Sequence, residues 1–207
     1  MLSFVKSKIN SFLFSRIESY FKQKFTSGNK WGVSLPYTSW FELPMDIEGG
    51  DKISVGDYSS IGKMAWLGAF ASYLPGDKFQ PSIKIGNQVR IGNYACIVSV
   101  KSVEIEDNTL ISEYFYVSDH GHGYNPIVDI PPAKQPLEVK GEGVRIGKNC
   151  FIGYRVTVLP GVTLGNNCVV GSHSVVTKSF PDYSMIAGVP AKLIKKYDAG
   201  LNDWVSV

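Results

Sequence analysis

Between Ile146 and Val176 the chain reads IGKNCFIGYRVTVLPGVTLGNNCVVGSHSVV, which resolves into units of six: Ile146-Gly147, Ile152-Gly153, Val158, Leu164-Gly165, Val170-Gly171, Val176. Six residues are neither one turn nor two of a helix with 3.6 residues per turn, so the period is not helical. A flat antiparallel strand would alternate with period two. A short strand plus a turn does suit the spacing. Each unit offers one large aliphatic side chain to a common interior, with glycine easing the backbone where the chain bends. Stacked coils of such units pair their strands in parallel and build a columnar core in which every coil leans on its neighbours.

The same period runs upstream. Val55-Gly56, Ile61-Gly62 and Leu67-Gly68 form one series, and Ile85-Gly86, Ile91-Gly92 and Ile97 a second. Ile105, Ile111 and Val117 form a third, displaced by two residues. Three segments interrupt the pattern. Residues 26–52 are irregular and aromatic (Trp31, Tyr37, Trp40, Phe41), with Pro36, Pro44 and a Gly49-Gly50 pair, and read as a connector. Residues 73–82 read as a short excursion. Residues 120–143, with Pro126, Pro131, Pro132 and Pro136, form a long insertion thrown out of the third coil, and long loops on rigid scaffolds commonly carry function. The expected organisation is therefore 1–52 as helix and connector, 53–181 as a parallel β-helix with the 120–143 insertion, and 182–207 as a tail.

With 207 residues and a net charge of +3, the chain has the size of one cored domain and the charge balance of neither a nucleic-acid binder nor a disordered acidic protein. Cys96, Cys150 and Cys168 are odd in number, widely spaced and without a CxxC pair, which points to a reducing, cytoplasmic setting rather than a disulfide framework or a zinc site. Cys150 and Cys168 stand at a small-residue position of their units, where packing is the expected role.

No stretch approaches the roughly 20 apolar residues of a membrane span, and charged and polar residues from Lys6 to Arg16 interrupt any signal-peptide core. Val5, Ile9, Phe12, Leu13, Ile17, Tyr20, Phe21 and Phe25 instead form one helical stripe, so residues 2–25 read as an amphipathic helix. Five basic side chains against Glu18 would let it lie peripherally on an anionic membrane. Docking on the protein itself or on a neighbouring subunit is the preferred reading.

Two of the three histidines stand at the mouth of the long insertion, in Ser118-Asp119-His120-Gly121-His122-Gly123. An imidazole titrates near neutral pH and can take a proton from a hydroxyl, although a polar turn role would explain one lone histidine equally well. Asp119 could orient an imidazole, contact an acceptor, or bond its own turn. His173, in Gly171-Ser172-His173-Ser174, occupies an ordinary surface turn.

Repeat, insertion and histidine together resemble the hexapeptide-repeat, left-handed parallel β-helix acyltransferases, most closely the maltose, galactoside and nodulation-type and polysaccharide O-acetyltransferases. The resemblance implies an all-β left-handed prism of about five coils, roughly 24 Å tall at the parallel-strand spacing. It implies His120 as general base, with His122 as competitor and, with Tyr124, a candidate acceptor contact. The ending Val176-Thr177-Lys178-Ser179-Phe180-Pro181 followed by Ile186-Ala187-Gly188-Val189-Pro190-Ala191-Lys192-Leu193-Ile194-Lys195 resembles the family segment whose basic residues face the phosphates of coenzyme A, which assigns Lys178, Lys192 and Lys195 to acetyl-CoA. Phe151 stands where the family often has a tryptophan lining the cleft, and the amides of Gly153 and Tyr154 are candidate oxyanion donors. A homotrimer with shared sites follows from the same resemblance.

The activity so implied is transfer of acetyl from acetyl-CoA to a saccharide hydroxyl in surface polysaccharide or lipopolysaccharide synthesis. N-acetylation of a nucleotide-linked amino sugar and a non-catalytic binding module are the alternatives. Metal-dependent hydration chemistry has too few histidines for its ligand set, and no metal is expected.

Overall fold

The computed structural model describes residues 31–207, and the amphipathic stretch 2–25 lies outside them. The chain winds as a left-handed parallel β-helix, a triangular prism whose three faces are parallel sheets. One face stacks Trp40–Phe41, Ser60–Ile61, Arg90–Ile91, Leu110–Ile111, Phe151–Ile152, Val169–Val170 and Ser184–Gly188. The next stacks Asp46–Glu48, Trp66–Ala69, Cys96–Ser99, Tyr116–Ser118, Thr157–Val158 and Val175–Val176. The third stacks Ile53–Val55, Ile83–Ile85, Val103–Ile105, Val144–Ile146 and Thr163–Leu164.

Register explains the period. Ile61, Ile91, Ile111, Ile152, Val170 and Ile186 are Cα partners in sequence along the first face, each buried. Leu67, Ile97, Val117, Val158 and Val176 do the same on the second. Truncating such a side chain to alanine removes about 2–5 kcal/mol, because the fixed coils around it cannot collapse into the space.

The glycines of the repeat serve close approach rather than bending. A Cβ on Gly147 would stand 2.7 Å from the carbonyl carbon of Gly165 on the next coil. The left-handed corner positions belong instead to side-chain-bearing residues such as Tyr94, Asn108, Asn149 and Asn167, with φ near 60°.

Two expected boundaries differ. The segment read as a connector contains a coil: Ser34 bridges Ser54, Trp40–Phe41 pairs with Ser60–Ile61, and Asp46–Glu48 pairs with Trp66–Gly68. Leu35, Phe41 and Ile47 keep the six-residue step, but aromatics and prolines around them mask it. Six complete coils are thus described where about five were expected. At the other end, Ser184–Gly188 continues the first face in parallel, and Ala191–Asp198 and Asp203–Ser206 extend that sheet antiparallel.

The insertion begins as a hairpin, His120–His122 against Leu137–Val139. Its interior is pinned by buried Gln135, which accepts from the Asn125 amide (2.7 Å) and donates to the Ile130 carbonyl (2.8 Å).

Candidate active site

The two-residue displacement of the third repeat series has a structural cause. From Ile97 to Ile105 the chain takes eight residues to pass from the second face to the third, where Val158 to Leu164 takes six. The surplus forms an arch at Val100-Lys101-Ser102 whose amides turn toward one carboxylate. Asp119 Oδ1 accepts from the Val100 amide (3.0 Å), and Oδ2 accepts from the amides of Lys101 (2.9 Å) and Ser102 (2.7 Å) and from Ser99 Oγ (2.6 Å). Asp119 is fully buried. Burial alone would push its pKa up, but the hydrogen bonds from His120, Ser99 and the Val100 and Lys101 amides outweigh it and hold the carboxyl below its ordinary value.

The insertion returns to the same arch. Val144 donates its amide to the Ser102 carbonyl, Lys101 Nζ reaches the Gly141 carbonyl (2.9 Å) and Glu142 (2.8 Å), and Gly143 leaves no room for a Cβ against the Ser102 carbonyl. Both ends of the loop are therefore anchored on one tripeptide.

His120 Nδ1 lies 2.9 Å from Asp119 Oδ1. The carboxylate can only accept, so Nδ1 carries the hydrogen and the lone pair sits on Nε2. Ser118 Oγ donates to the His120 carbonyl (2.7 Å) and steadies the same turn. With a side chain 12% exposed, His120 is held on one edge and open on the other. It faces a cleft of about 460 Å3 lined by Trp66, Phe70, Tyr73, Val98, Tyr116, Ser118, Gly121, His122 and Leu137.

The cleft gathers only part of the expected set. His122 lines it, its ring edge-on to Tyr73 at 5.2 Å, with no carboxylate partner among the described residues. Tyr124 is 71% exposed and outside the lining. Phe151 does not face this cleft: it points outward on the first face, between Leu110 and Val169. Gly153 and Tyr154 cannot serve as oxyanion donors through their amides. Gly153 donates to the Val170 carbonyl (2.9 Å) and Tyr154 to Ser172 Oγ (3.1 Å), because each coil spends its amides on the next.

Lys178 is exposed at the corner that follows the second face, two coils beyond the Tyr116 strand, its ammonium 5.6 Å from the Phe180 ring. Lys192 and Lys195 sit on the antiparallel strand beside Ser184–Gly188, on the first-face sheet. Tyr154 belongs to a corner ladder in which Tyr94 stacks on Tyr114, Tyr114 meets Tyr154, and Tyr154 meets His173, which is exposed in its turn as expected. Cys150 and Cys168 are buried, their thiols directed at the Gly165 and Pro181 carbonyls; hydrogen bonding to Cys168 and burial push the Cys150 thiol up.

Trp66, Phe70, Tyr73, Tyr116 and Leu137 were not anticipated. For two of them a signal existed. Trp66 and Tyr116 each precede the core aliphatic of their unit, the position that points outward on this face.

Residues 143–178 match the family model described as bacterial transferase hexapeptide (six repeats). The chain is 41% identical over 117 residues to the putative lipopolysaccharide biosynthesis O-acetyl transferase WbbJ of Escherichia coli (strain K12), covering 54% of this chain and 59% of that protein. It is 35% identical over 104 residues to the galactoside O-acetyltransferase of the same organism, covering 48% and 47%. The chain thus spans about half the length of these relatives. Among solved structures, AntD, an N-acyltransferase from Bacillus cereus in complex with dTDP and 3-hydroxybutyryl-CoA, superposes with a TM-score of 0.67 at 21% identity over 81% of this chain and 85% of that one, a likeness of fold. Over residues 143–178 the repeat that builds the prism is similar to the hexapeptide repeat of bacterial transferases.

Proposed function

We propose that the protein is an acetyl-CoA-dependent O-acetyltransferase acting on a saccharide hydroxyl. The observation that carries this reading is the Asp119–His120 pair, an imidazole with its Nδ1 hydrogen committed to a buried carboxylate and its Nε2 turned to a cleft. Such an imidazole accepts a proton from an acceptor hydroxyl as the oxygen attacks a thioester carbonyl, and returns it to the departing sulfur. Asp119 stabilises the imidazolium between the two transfers without itself changing protonation. No acyl-enzyme is needed.

Coenzyme A supplies the activated acetyl thioester when bound. The residues at the C-terminal end suit it: Lys178 is an exposed cation at the corner shared with the His120 loop, and Lys192 and Lys195 add charge on the first-face sheet. One prism places Lys178 and the Lys192–Lys195 strand on different faces, and a coenzyme lying between two copies of the chain would meet both sets. A homotrimer supplies that arrangement with closed symmetry. The WbbJ relative favours an acceptor in surface polysaccharide or lipopolysaccharide synthesis, hence a cytoplasmic enzyme that residues 2–25 could bring to the inner membrane face. Among the described residues no helix is long and apolar enough to cross a membrane.

The test is thiol release from acetyl-CoA across a panel of neutral saccharides and amino sugars, with the product's ester or amide identified by mass spectrometry. Saccharide-dependent release forming an ester is expected. Amide formation on an amino sugar alone would replace this reading with N-acetylation, and no release with any acceptor would remove it.

A further inference from the structure

The cleft beside His120 has a direction. Trp66, Cys96 and Tyr116 occupy one register on three successive coils. The two rings therefore stand about 10 Å apart along the face, with a short side chain between them. Phe70 meets Trp66 edge-on at 6.0 Å. The Tyr73 hydroxyl donates to the Ala133 carbonyl (2.7 Å), which ties the 73–82 excursion to the insertion and makes the wall a built feature. No lysine, arginine, aspartate or glutamate lines the cleft among the described residues.

We propose that Trp66 and Tyr116 each offer a stacking face to an uncharged pyranose ring, and that the acceptor is a neutral glycoside rather than a nucleotide-linked sugar. This deepens the acetyl-transfer reading and rests on it. A pyranose presents a face of C–H bonds, weakly positive, to the negative face of an aromatic ring, while its hydroxyls point sideways toward His120 and His122. A nucleotide-linked sugar would bring a pyrophosphate, which requires cationic side chains or converging amides; the Val100–Ser102 amides are consumed by Asp119. The pantetheine arm of coenzyme A is the other apolar candidate. It belongs at the opposite end of the face, since Trp66 lies two coils before Tyr116 and Lys178 follows a strand two coils after it.

The full chain, labelled with 5-fluorotryptophan at its four tryptophans, gives a fluorine resonance for Trp66 that Trp66→Phe identifies. Methyl α-glycosides of glucose, galactose and rhamnose, UDP-glucose and coenzyme A are the probes. A saturable shift with at least one methyl glycoside, and none with UDP-glucose or coenzyme A, is expected. In turnover Trp66→Ala should raise the KM for the glycoside about tenfold while the KM for acetyl-CoA stays within twofold, and Trp66→Phe should restore most of the loss. A shift with coenzyme A or UDP-glucose, or none with any glycoside, overturns the proposal. The resonance requires no acetyl transfer, so glycoside binding without thiol release would sink the acetyltransferase reading and leave glycoside stacking standing. Thiol release with an acetyl-CoA defect in Trp66→Ala would do the reverse.

Discussion

Asp119 and His120 are adjacent in sequence, yet their side chains meet, Nδ1 to Oδ1 at 2.9 Å, while the remaining capacity of the carboxylate is filled by Ser99 and the amides of Val100, Lys101 and Ser102. In the proposed reaction Asp119 is a positioning residue that acts through the imidazole. Asp119→Asn keeps the size, but its amide cannot stabilise an imidazolium. We expect kcat to fall about a hundredfold or more. An unchanged kcat in a folded Asp119→Asn protein would confine Asp119 to a structural role.

The same carboxylate predicts acid lability. Its folded-state value is held below the ordinary 3.8, so its contribution to stability is fully present above that pH and is lost as pH falls through the folded value. Denaturant titrations from pH 6 to pH 2 should show an acid-dependent loss of stability that is smaller in Asp119→Asn. Equal slopes in both proteins would show that other carboxylates account for the effect.

For the proposed base, His120→Ala should lower kcat by about a hundredfold or more with little change in acetyl-CoA binding, since in that reading the imidazole handles the acceptor's proton and not the cofactor. His122, whose ring contact is with Tyr73, should tolerate alanine with a change in acceptor KM rather than in kcat. An inactive His122→Ala beside an active His120→Ala would reverse the assignment.

Lys178→Ala and Lys192→Ala should each raise the KM for acetyl-CoA more than that for its 3′-dephospho analogue. Steady-state kinetics with the two thioesters decides the matter: equal effects would mean that these lysines do not read the 3′-phosphate.

In multi-angle light scattering the active species should elute at three times the 22.8 kDa chain mass. A fully active monomer would exclude a site that draws its lysines from two copies.

The repeat and the His120 loop were legible because both are one-dimensional signals: a fixed period, and a break in it. The coil at 34–48 was hidden where Phe41 replaces the usual aliphatic and Pro36 and Pro44 suggest irregularity. The amides of Gly153 and Tyr154 were misjudged because ladder bonding between coils has no signature in composition. Phe151 lies outside the His120 cleft because sequence neighbours in this fold lie on different faces, while residues twenty or thirty positions apart share one. Trp66, Cys96 and Tyr116 show the converse: their spacing of thirty and twenty is the register of the face.

The arch at Val100-Lys101-Ser102 also determines what could be moved. His120 and its loop are one contiguous segment, but the groups that hold Asp119 come from the preceding coil, and the loop closes on that coil as well. A transplant of Ser118–Gly123 into another prism would deliver an imidazole beside a buried acid with nothing to keep it ionised. The smallest portable unit is the whole stretch from Ser99 to Val144, with its two surplus residues.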